Sequence, residues 1–220
     1  MNPDVFRVPP ERIDEVVAVL CDSFHDYPVM RYALEDAVAD YDLQLRALIH
    51  LFVSGRTMRG DPILGVEDGG RLVGAATITP PGERPAPPEF TALRDSVWEL
   101  LGAPARARYD ALIAVWERSS VPGLHHHVNM IGIAHSHHGR GLARPLLEAA
   151  HAMAEADPQS IGVTLSTELL KNVTLYQHFG YEVKDHARLT DTLETWSFLR
   201  PKHAALVPPP APPAVPQAGA

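Results

Sequence analysis

The sequence predicts an α/β protein with a mixed sheet, and three observations support this fold class. Asp68-Gly69-Gly70 is a strong turn signal between two β-patterned stretches, residues 63–67 and 71–79. An apolar-alternating strand pattern at 127–134 leads through a glycine-rich turn into a helical pattern. A strand, a helix and two further strands then follow. A hairpin followed by alternating strands and helices requires both parallel and antiparallel neighbours in the sheet.

The N-terminal region is predicted to be mostly helical after one short strand at 5–8. Residues 11–24 form an amphipathic helix pattern, whose apolar stripe consists of Ile13, Val16, Val17, Leu20 and Phe24. Tyr27-Pro28 ends this helix, because a residue before proline avoids the helical conformation. The apolar spacing predicts two more helices, at 29–34 and 43–52.

An insert separates the hairpin at 63–79 from the strand at 127–134. Five prolines between residues 80 and 88 predict an irregular loop. The rest of the insert, which spans 80–123, carries two helical patterns, at 90–101 and 108–118. We therefore predict one domain over residues 1–200 that contains this helical insert.

The C-terminal part completes the sheet and ends in a tail. A buried strand is predicted at 161–166 and a helix at 169–179, which Gly180 ends. The last strands are predicted at 181–184 and 192–199. Seven prolines and many alanines occur between residues 201 and 220. Such a composition buries too little apolar surface to fold, so we predict a disordered tail.

The glycine-rich turn has the chemistry of an anion site. Gly139 and Gly141 lack a Cβ, so the backbone can turn sharply and approach a ligand. The helix that follows leaves its first N–H groups unpaired, and Pro145 suits its first turn. Arg140 adds positive charge beside the turn. These features favour phosphate, although the spacing fits neither the dinucleotide fingerprint nor a Walker loop.

Composition restricts the functional classes. The net charge is −8, which argues against nucleic acid and anionic membranes as partners and is compatible with a cationic substrate. Cys21 is the single cysteine, so a disulfide framework and a cysteine-rich zinc site are excluded. The sequence has no 18-residue apolar run and no signal-peptide pattern, and we expect a cytoplasmic protein.

Clustered histidines raise the question of a metal site. Consecutive strand residues point to opposite faces, so the triplet at 125–127 cannot converge on one ion. No cysteine or nearby carboxylate completes a ligand set. We therefore expect no metal, and surface or cleft positions, for His125, His126, His127, His135, His137 and His138.

Two motifs resemble the signatures of the GNAT family of acetyl-CoA-dependent N-acetyltransferases. The first family signature is Gln/Arg-x-x-Gly-x-Gly/Ala at a helix start, and here it is matched by His138, Gly139, Arg140, Gly141, Leu142 and Ala143. The second is matched by Asn172, Leu175-Tyr176 and Gly180-Tyr181. Both occur in the family's order, and the order of elements agrees over residues 5–200. The departure is His138, where the family has Gln or Arg.

Within the family, the chain is most similar to the puromycin N-acetyltransferase branch. The similarity rests on three short segments, Ser23-Phe24-His25-Asp26-Tyr27-Pro28, Leu165-Ser166-Thr167 and Thr195-Trp196. These segments do not establish puromycin as the substrate.

The resemblance implies a GNAT fold, in which a mostly antiparallel sheet flanked by helices is splayed between strands four and five. Acetyl-CoA would be the co-substrate. Its pantetheine would lie in the splay and pair with the backbone of the stretch Ile131, Gly132 and Ile133. Its pyrophosphate would bind the loop from His138 to Ala143, and Asn172 would hydrogen-bond the pantetheine arm.

The resemblance also implies direct acetyl transfer to an amine that a general base has deprotonated. Tyr176 matches the family's general acid, which protonates the leaving thiolate. Two residues are candidates for the base. His127 matches the position of the strand-four glutamate of histone-type members, and Glu168 lies at the end of strand five.

The acceptor is expected to be the primary amine of a small molecule, either aminonucleoside- or antibiotic-like or a metabolite, because the insert would cover the acceptor cleft. Two alternatives stay open: a non-catalytic acyl-CoA-binding regulatory module, and a protein N-terminal or lysine acetyltransferase. A homodimer is compatible with the resemblance.

Overall fold

The computed structural model describes residues 4–37, 39–82 and 84–204. Within these residues seven strands form one sheet: β1 (Val5–Arg7), β2 (Ile63–Asp68), β3 (Arg71–Thr79), β4 (His126–Ile133), β5 (Gly162–Thr167), β6 (Glu182–Arg188) and β7 (Glu194–Pro201). Their order is β1-β2-β3-β4-β5-β7-β6, and β4–β5 is the one parallel pair. The predicted α/β class with a mixed, mostly antiparallel sheet is confirmed.

Six α-helices cover the two faces of the sheet within the same residues: α1 (Ile13–Phe24), α2 (Pro28–Ala33), α3 (Tyr41–Met58), α4 (Pro88–Arg118), α5 (Ala143–Ala156) and α6 (Leu170–His178). Helices α1 to α4 pack on one face, where Leu20, Leu45 and Trp98 are buried. Helices α5 and α6 pack on the other, around Leu146 and Phe198. No helix among the described residues is long and apolar enough to span a membrane.

The sheet splits between β4 and β5. These strands pair at two positions, His126 with Val163 and His127 with Thr164, and the pairing then stops. The rest of β4 stays paired with β3 on its other edge. Most of β4 therefore has one edge without a strand partner, which is the predicted splay.

A β-bulge in β4 lies next to the split. Val128 pairs with Ile78 and Met130 with Thr77, so Asn129 is the extra residue on β4. The bulge changes which face the side chains occupy. Val128 packs in the core on the α5 side, whereas Met130 packs in the core on the α1 side.

The observed bounds of two helices differ from the predicted ones, because polar residues interrupt the apolar spacing on which the prediction depended. The third helix runs over Tyr41–Met58 rather than 43–52, because its last two turns still bury Val53 and Ser54 against the neighbouring helices. The two helices predicted in the insert are joined into α4, with a break at Gly102, where φ is 83°. The two predicted patterns thus correspond to the two halves of α4.

The end of the described chain is ordered beyond the predicted domain boundary at residue 200. β7 extends to Pro201, and the His203 N–H donates to Glu155 Oε1 over 2.6 Å. The Lys202 ammonium donates to the Asp157 carbonyl at 2.8 Å. Residues 201–204 of the predicted tail thus contact the domain, and the rest of that tail, residues 205–220, lies outside the described part of the chain.

A buried histidine makes stability depend on pH. His151 of α5 is 5% exposed, and its Nε2 lies 3.0 Å from the Tyr181 hydroxyl. Burial lowers the pKa of His151 to about 3. A histidine that folds only when neutral contributes stability above its unfolded pKa of about 6.5, and this contribution is lost as the pH falls toward the folded value.

We predict that His151→Gln weakens the acid sensitivity of the fold. Glutamine keeps an acceptor for Tyr181 but does not titrate. Between pH 7 and 4.5 the free energy of unfolding should fall by about 2 kcal/mol more in the parent protein than in the variant. Urea unfolding at both pH values measures this difference, and equal losses in the two proteins would contradict the assignment.

Candidate active site

The glycine loop has the geometry of an anion cradle. Gly139 and Gly141 have φ values of 77° and 74°, a conformation that strongly favours glycine. Helix α5 begins directly afterwards, at Ala143. Among the described residues, no protein acceptor takes a hydrogen bond from the backbone N–H groups of 139–143. These N–H groups are therefore available to a ligand at a helix N-terminus.

Asp22 and Asp68 hold the two ends of this loop region. The Asp22 carboxylate accepts the backbone N–H of His135 at 2.6 Å and lies 3.1 Å from its imidazole. Asp68 Oδ2 lies 3.2 Å from both Arg140 Nη1 and His137 Nε2. These contacts are exposed and contribute little stability, but they keep the Arg140 guanidinium beside the loop.

The unpaired edge of β4 presents backbone groups to the splay. The Ala134 N–H donates to the Val73 carbonyl of β3 at 2.8 Å. Because antiparallel residues alternate in direction, the N–H and C=O groups of Ile131 and Ile133 face away from β3. His138 Nε2 donates to the Ile133 carbonyl at 2.8 Å, so this departure from the family signature has a contact of its own.

Gly132 has a packing role. A Cβ at this position would lie 2.8 Å from Ser23 Cβ and 3.0 Å from a Leu20 methyl, so a side chain here would push α1 off the sheet. The missing side chain thus allows the close approach of α1 to β4.

A cavity of about 480 Å³ lies where β4 and β5 separate. Five residues predicted for the site line it: His127, Ile131, Glu168, Asn172 and Tyr176. The loop residues 138–143, Gly132 and Ile133 are not part of its wall. The structure therefore brings the predicted catalytic residues together and places the predicted phosphate site apart from them.

The carboxylate of Glu168 is positioned by hydrogen bonds to one of its two oxygens. Its Oε1 accepts hydrogen bonds from the Trp116 indole N–H at 3.2 Å and from the Thr195 hydroxyl at 2.7 Å. Both bonds fall on Oε1, which leaves Oε2 for a ligand. Burial raises the pKa of Glu168, and the hydrogen bonds oppose this shift.

Tyr27 joins the first helices to the end of β5. Its hydroxyl accepts the Glu168 backbone N–H at 3.1 Å and lies 3.0 Å from the Thr167 hydroxyl. Thr167 Oγ1 also accepts the Asn172 side-chain amide at 3.1 Å. The sequence singled out Tyr27 as the residue before Pro28 and within a segment similar to the puromycin branch, but not as a site residue, so its place in the site was missed.

Tyr176 lies deep in the wall of the cavity. It is 8% exposed, and its ring packs edge-on against Tyr181 and Phe198. Burial, and then the nearby Glu168 charge, raise the pKa of Tyr176 to about 12. Within the described chain its hydroxyl makes no hydrogen bond to protein. The hydroxyl is therefore protonated and free to donate a proton.

The three consecutive histidines have three different partners. His127 Nδ1 lies 2.8 Å from the Thr164 hydroxyl inside the cavity, whereas His126 lies on the other face, 3.2 Å from the Ser160 hydroxyl. His125 Nδ1 donates to the Gly123 carbonyl at 2.8 Å. Burial lowers the pKa of His127 to about 4, so it is neutral and a weak base. The described residues contain no group of three potential ligands arranged for a metal.

A polar network that was not predicted supports the bulge in β4. Asn129 Oδ1 accepts a hydrogen bond from Arg56 Nη2 at 2.7 Å. Asn129 Nδ2 donates a hydrogen bond to the Thr79 hydroxyl at 2.9 Å. Arg56 and Asn129 both line the cavity. Neither stands in a recognisable motif, because α3 and β4 meet only in the folded chain.

Comparisons with known proteins agree with this geometry. Residues 100–195 match the family model for an acetyltransferase (GNAT) domain. No protein of curated function shows a significant sequence match. A solved structure of a histone acetyltransferase HPA2 and related acetyltransferase from Corynebacterium glutamicum is similar with a TM-score of 0.66 at 20% identity, covering 94% of this chain and 100% of that one.

Two further solved structures share the fold. Agmatine N-acetyltransferase has a TM-score of 0.58 at 18% identity, with 90% of this chain and 98% of that one covered. The ribosomal-protein-S18-alanine N-acetyltransferase from Escherichia coli has a TM-score of 0.54 at 11% identity, with 92% and 95% covered. At these identities the similarity shows the fold alone.

The family match spans the glycine loop, the splayed strands and both Glu168 and Tyr176. Over residues 100–195 the chain is therefore similar to the GNAT acetyltransferases, and it shares its fold with the solved acetyltransferases above. The comparisons do not distinguish among the branches of the family.

We predict that Gly141→Val weakens binding of coenzyme A about tenfold or more. A β-branched residue at a φ of 74° is strained and would distort the N–H groups of the loop. Isothermal titration with coenzyme A measures the effect. Gly60→Val is the matched control, since Gly60 also has a positive φ of 67° with open space around it. Equal affinity of the two variants for coenzyme A would refute a binding role for the loop.

Proposed function

We propose that this chain transfers the acetyl group of acetyl-CoA to the primary amine of a small molecule bound in the cavity. The observation that supports this function best is the meeting of three features in one cavity. The open edge of β4 offers a place for a thioester arm, Glu168 offers a carboxylate with a raised pKa, and Tyr176 offers a protonated hydroxyl.

We further propose how coenzyme A binds. The N–H groups of 139–143 hold the pyrophosphate, and the backbone of Ile131 and Ile133 pairs with the pantetheine as an added strand would. His138 then releases the Ile133 carbonyl, to which it donates in the free protein. The Asn172 amide N–H is engaged with Thr167, so its Oδ1 is the atom left for a pantetheine amide.

Glu168 suits the role of general base better than His127. An ammonium group has no lone pair, so a base must take its proton before the amine attacks the acetyl carbonyl. A base works best when its pKa lies near the working pH. Burial moves the pKa of Glu168 upward, toward neutrality, but moves that of His127 to about 4, away from it. His127 then serves as a neutral wall of the acceptor cavity.

Tyr176 is proposed as the general acid. When the amine attacks, the carbon–sulfur bond breaks and coenzyme A leaves as a thiolate that needs a proton. The Tyr176 side chain lines the cavity, its hydroxyl has no hydrogen-bond partner among the described residues, and its raised pKa keeps it protonated.

The insert favours a small acceptor over a protein chain. Tyr109, Ile113 and Trp116 of α4 form part of the cavity wall, so the insert covers one side of the acceptor site. The fold does not decide this point, because its solved relatives carry the names of both peptide and small-molecule acetyltransferases. Puromycin belongs in an acceptor panel because of the similarity to that branch.

We predict that Glu168→Gln lowers kcat/KM for the amine by about 10²- to 10⁴-fold. Thiol release from acetyl-CoA with a panel of primary amines measures it. In the parent enzyme the rate should rise with pH as Glu168 loses its proton, at a pH above the ordinary range of a glutamate. Thr195→Val removes a hydrogen bond that lowers this pKa and should move the rise to higher pH. A Glu168→Gln enzyme within threefold of the parent would exclude Glu168 as the base.

We predict that Tyr176→Phe lowers kcat by about 10²-fold or more and leaves the affinity for coenzyme A within threefold. Tyr181→Phe is the matched control, because this buried tyrosine packs 5.8 Å from Tyr176 between ring centroids and its hydroxyl bonds His151 instead. Single-turnover measurements separate the chemical step from product release. Unchanged turnover in Tyr176→Phe would remove this residue from the mechanism, whereas coenzyme A binding without turnover in the parent enzyme would favour a non-catalytic module.

A further inference from the structure

A guanidinium group forms part of the cavity wall. Arg56 of α3 lines the cavity together with Tyr109 and His127. Its Nη2 donates to Asn129 Oδ1 at 2.7 Å, and its Nη1 lies 3.7 Å from Asp61 Oδ2. The positive charge of Arg56 contributes to lowering the pKa of His127, so its field reaches the catalytic part of the cavity.

The Arg56 charge is only partly compensated within the described residues. Asp61 is completely buried and is shared with Arg84, whose Nε lies 2.8 Å from Asp61 Oδ1. Neither Asp61 oxygen accepts a well-formed hydrogen bond from the described side chains. Arg56 and Arg84 thus share one carboxylate among the described residues, so Asp61 can neutralise only one of the two positive charges. Burial lowers the pKa of Arg56, which means that the cation is held there at a desolvation cost that an anionic ligand would offset.

An apolar wall separates this cation from the proposed base. Tyr109 stacks on Phe52 with ring centroids 5.5 Å apart, and it meets Trp116 edge-on at 6.4 Å. Trp116 in turn hydrogen-bonds Glu168. The order across the cavity is therefore guanidinium, aromatic rings, carboxylate, with Phe24 and Met30 also in the wall.

This arrangement suits a ligand with two opposite charges and an apolar part. We propose that the acceptor is an amino acid-type molecule, in which an aromatic or other apolar part carries both a primary amine and a carboxylate. Glu168 takes the amine, the aromatic wall covers the apolar part, and Arg56 binds the carboxylate as a charge-assisted pair. This inference rests on the proposed function and specifies its substrate class.

The test compares matched acceptors that differ only in the carboxylate. L-phenylalanine is paired with phenethylamine, and 4-(aminomethyl)benzoate is paired with benzylamine, so that two amine-to-carboxylate spacings are covered. Thiol release from acetyl-CoA gives kcat/KM for each. In at least one pair, the carboxylate-bearing amine should be preferred about tenfold or more.

Variants of the polar network then locate the preference. Arg56→Gln should abolish the preference, so that kcat/KM for the carboxylate-bearing member falls about 10- to 100-fold further than kcat/KM for the uncharged member. The uncharged partner thus reports whether Arg56→Gln still folds and turns over. Asp61→Asn acts in the opposite direction: it removes the competing anion and should strengthen the preference.

A readout without turnover completes the test. N-acetyl-L-phenylalanine, or 4-(acetamidomethyl)benzoate for the second pair, should bind the parent enzyme more tightly than the matching product without a carboxylate, and Arg56→Gln should remove the difference. Turnover of phenethylamine and benzylamine with no gain from a carboxylate would overturn this inference and leave the proposed function standing. Absence of turnover with all four amines, together with equal binding of the products with and without a carboxylate, would overturn this inference, whereas the proposed function fails only if the wider panel of primary amines also gives no thiol release.

Discussion

The separation of β4 from β5 after two residue pairs is the constraint on which the rest of the structure depends. It leaves backbone donors and acceptors of β4 without a strand partner and creates the cavity between the two sheet halves. Unpaired backbone groups inside a protein are costly unless a ligand or side chain satisfies them. The split is therefore best understood as a binding site for an extended, amide-containing molecule.

The bulge at Asn129 keeps the split in place. One extra residue turns Val128 and Met130 toward opposite cores, so β4 cannot continue in register with β5 without exposing one of them. Arg56 and Thr79 hold the Asn129 side chain on the acceptor side. Gly132 then lets α1 close the same face of β4. The cavity is thus built by packing on both faces of β4.

Burial in this cavity gives its ionisable groups different tasks. It raises the pKa of Glu168 and of Tyr176, and it lowers that of His127. A carboxylate moved toward neutrality can accept a proton, whereas a tyrosine that stays protonated can donate one. One physical cause, the removal of water from charged forms, therefore suits these side chains to the opposite roles proposed for them.

Local sequence patterns predicted the strands, the helices and the residues of the two motifs, because each depends on neighbours close in the chain. The glycine loop and the Glu168–Tyr176 segment are of this kind. Tyr27, Arg56, Asn129 and Trp116 could not be predicted, since they become part of the site only when α1, α3, β4 and α4 meet in space. The length of α3 was underestimated for a related reason: its polar last turns pack against an insert far along the sequence.

The central claim is that coenzyme A occupies the open edge of β4 with its pyrophosphate on the glycine loop. A crystal structure of the complex with coenzyme A tests it most directly. The account predicts pantetheine amides within hydrogen-bond distance of the Ile131 and Ile133 backbone, phosphate oxygens on the N–H groups of 139–143, and the sulfur beside Tyr176. A bound coenzyme A that leaves the β4 edge and this loop untouched would contradict it.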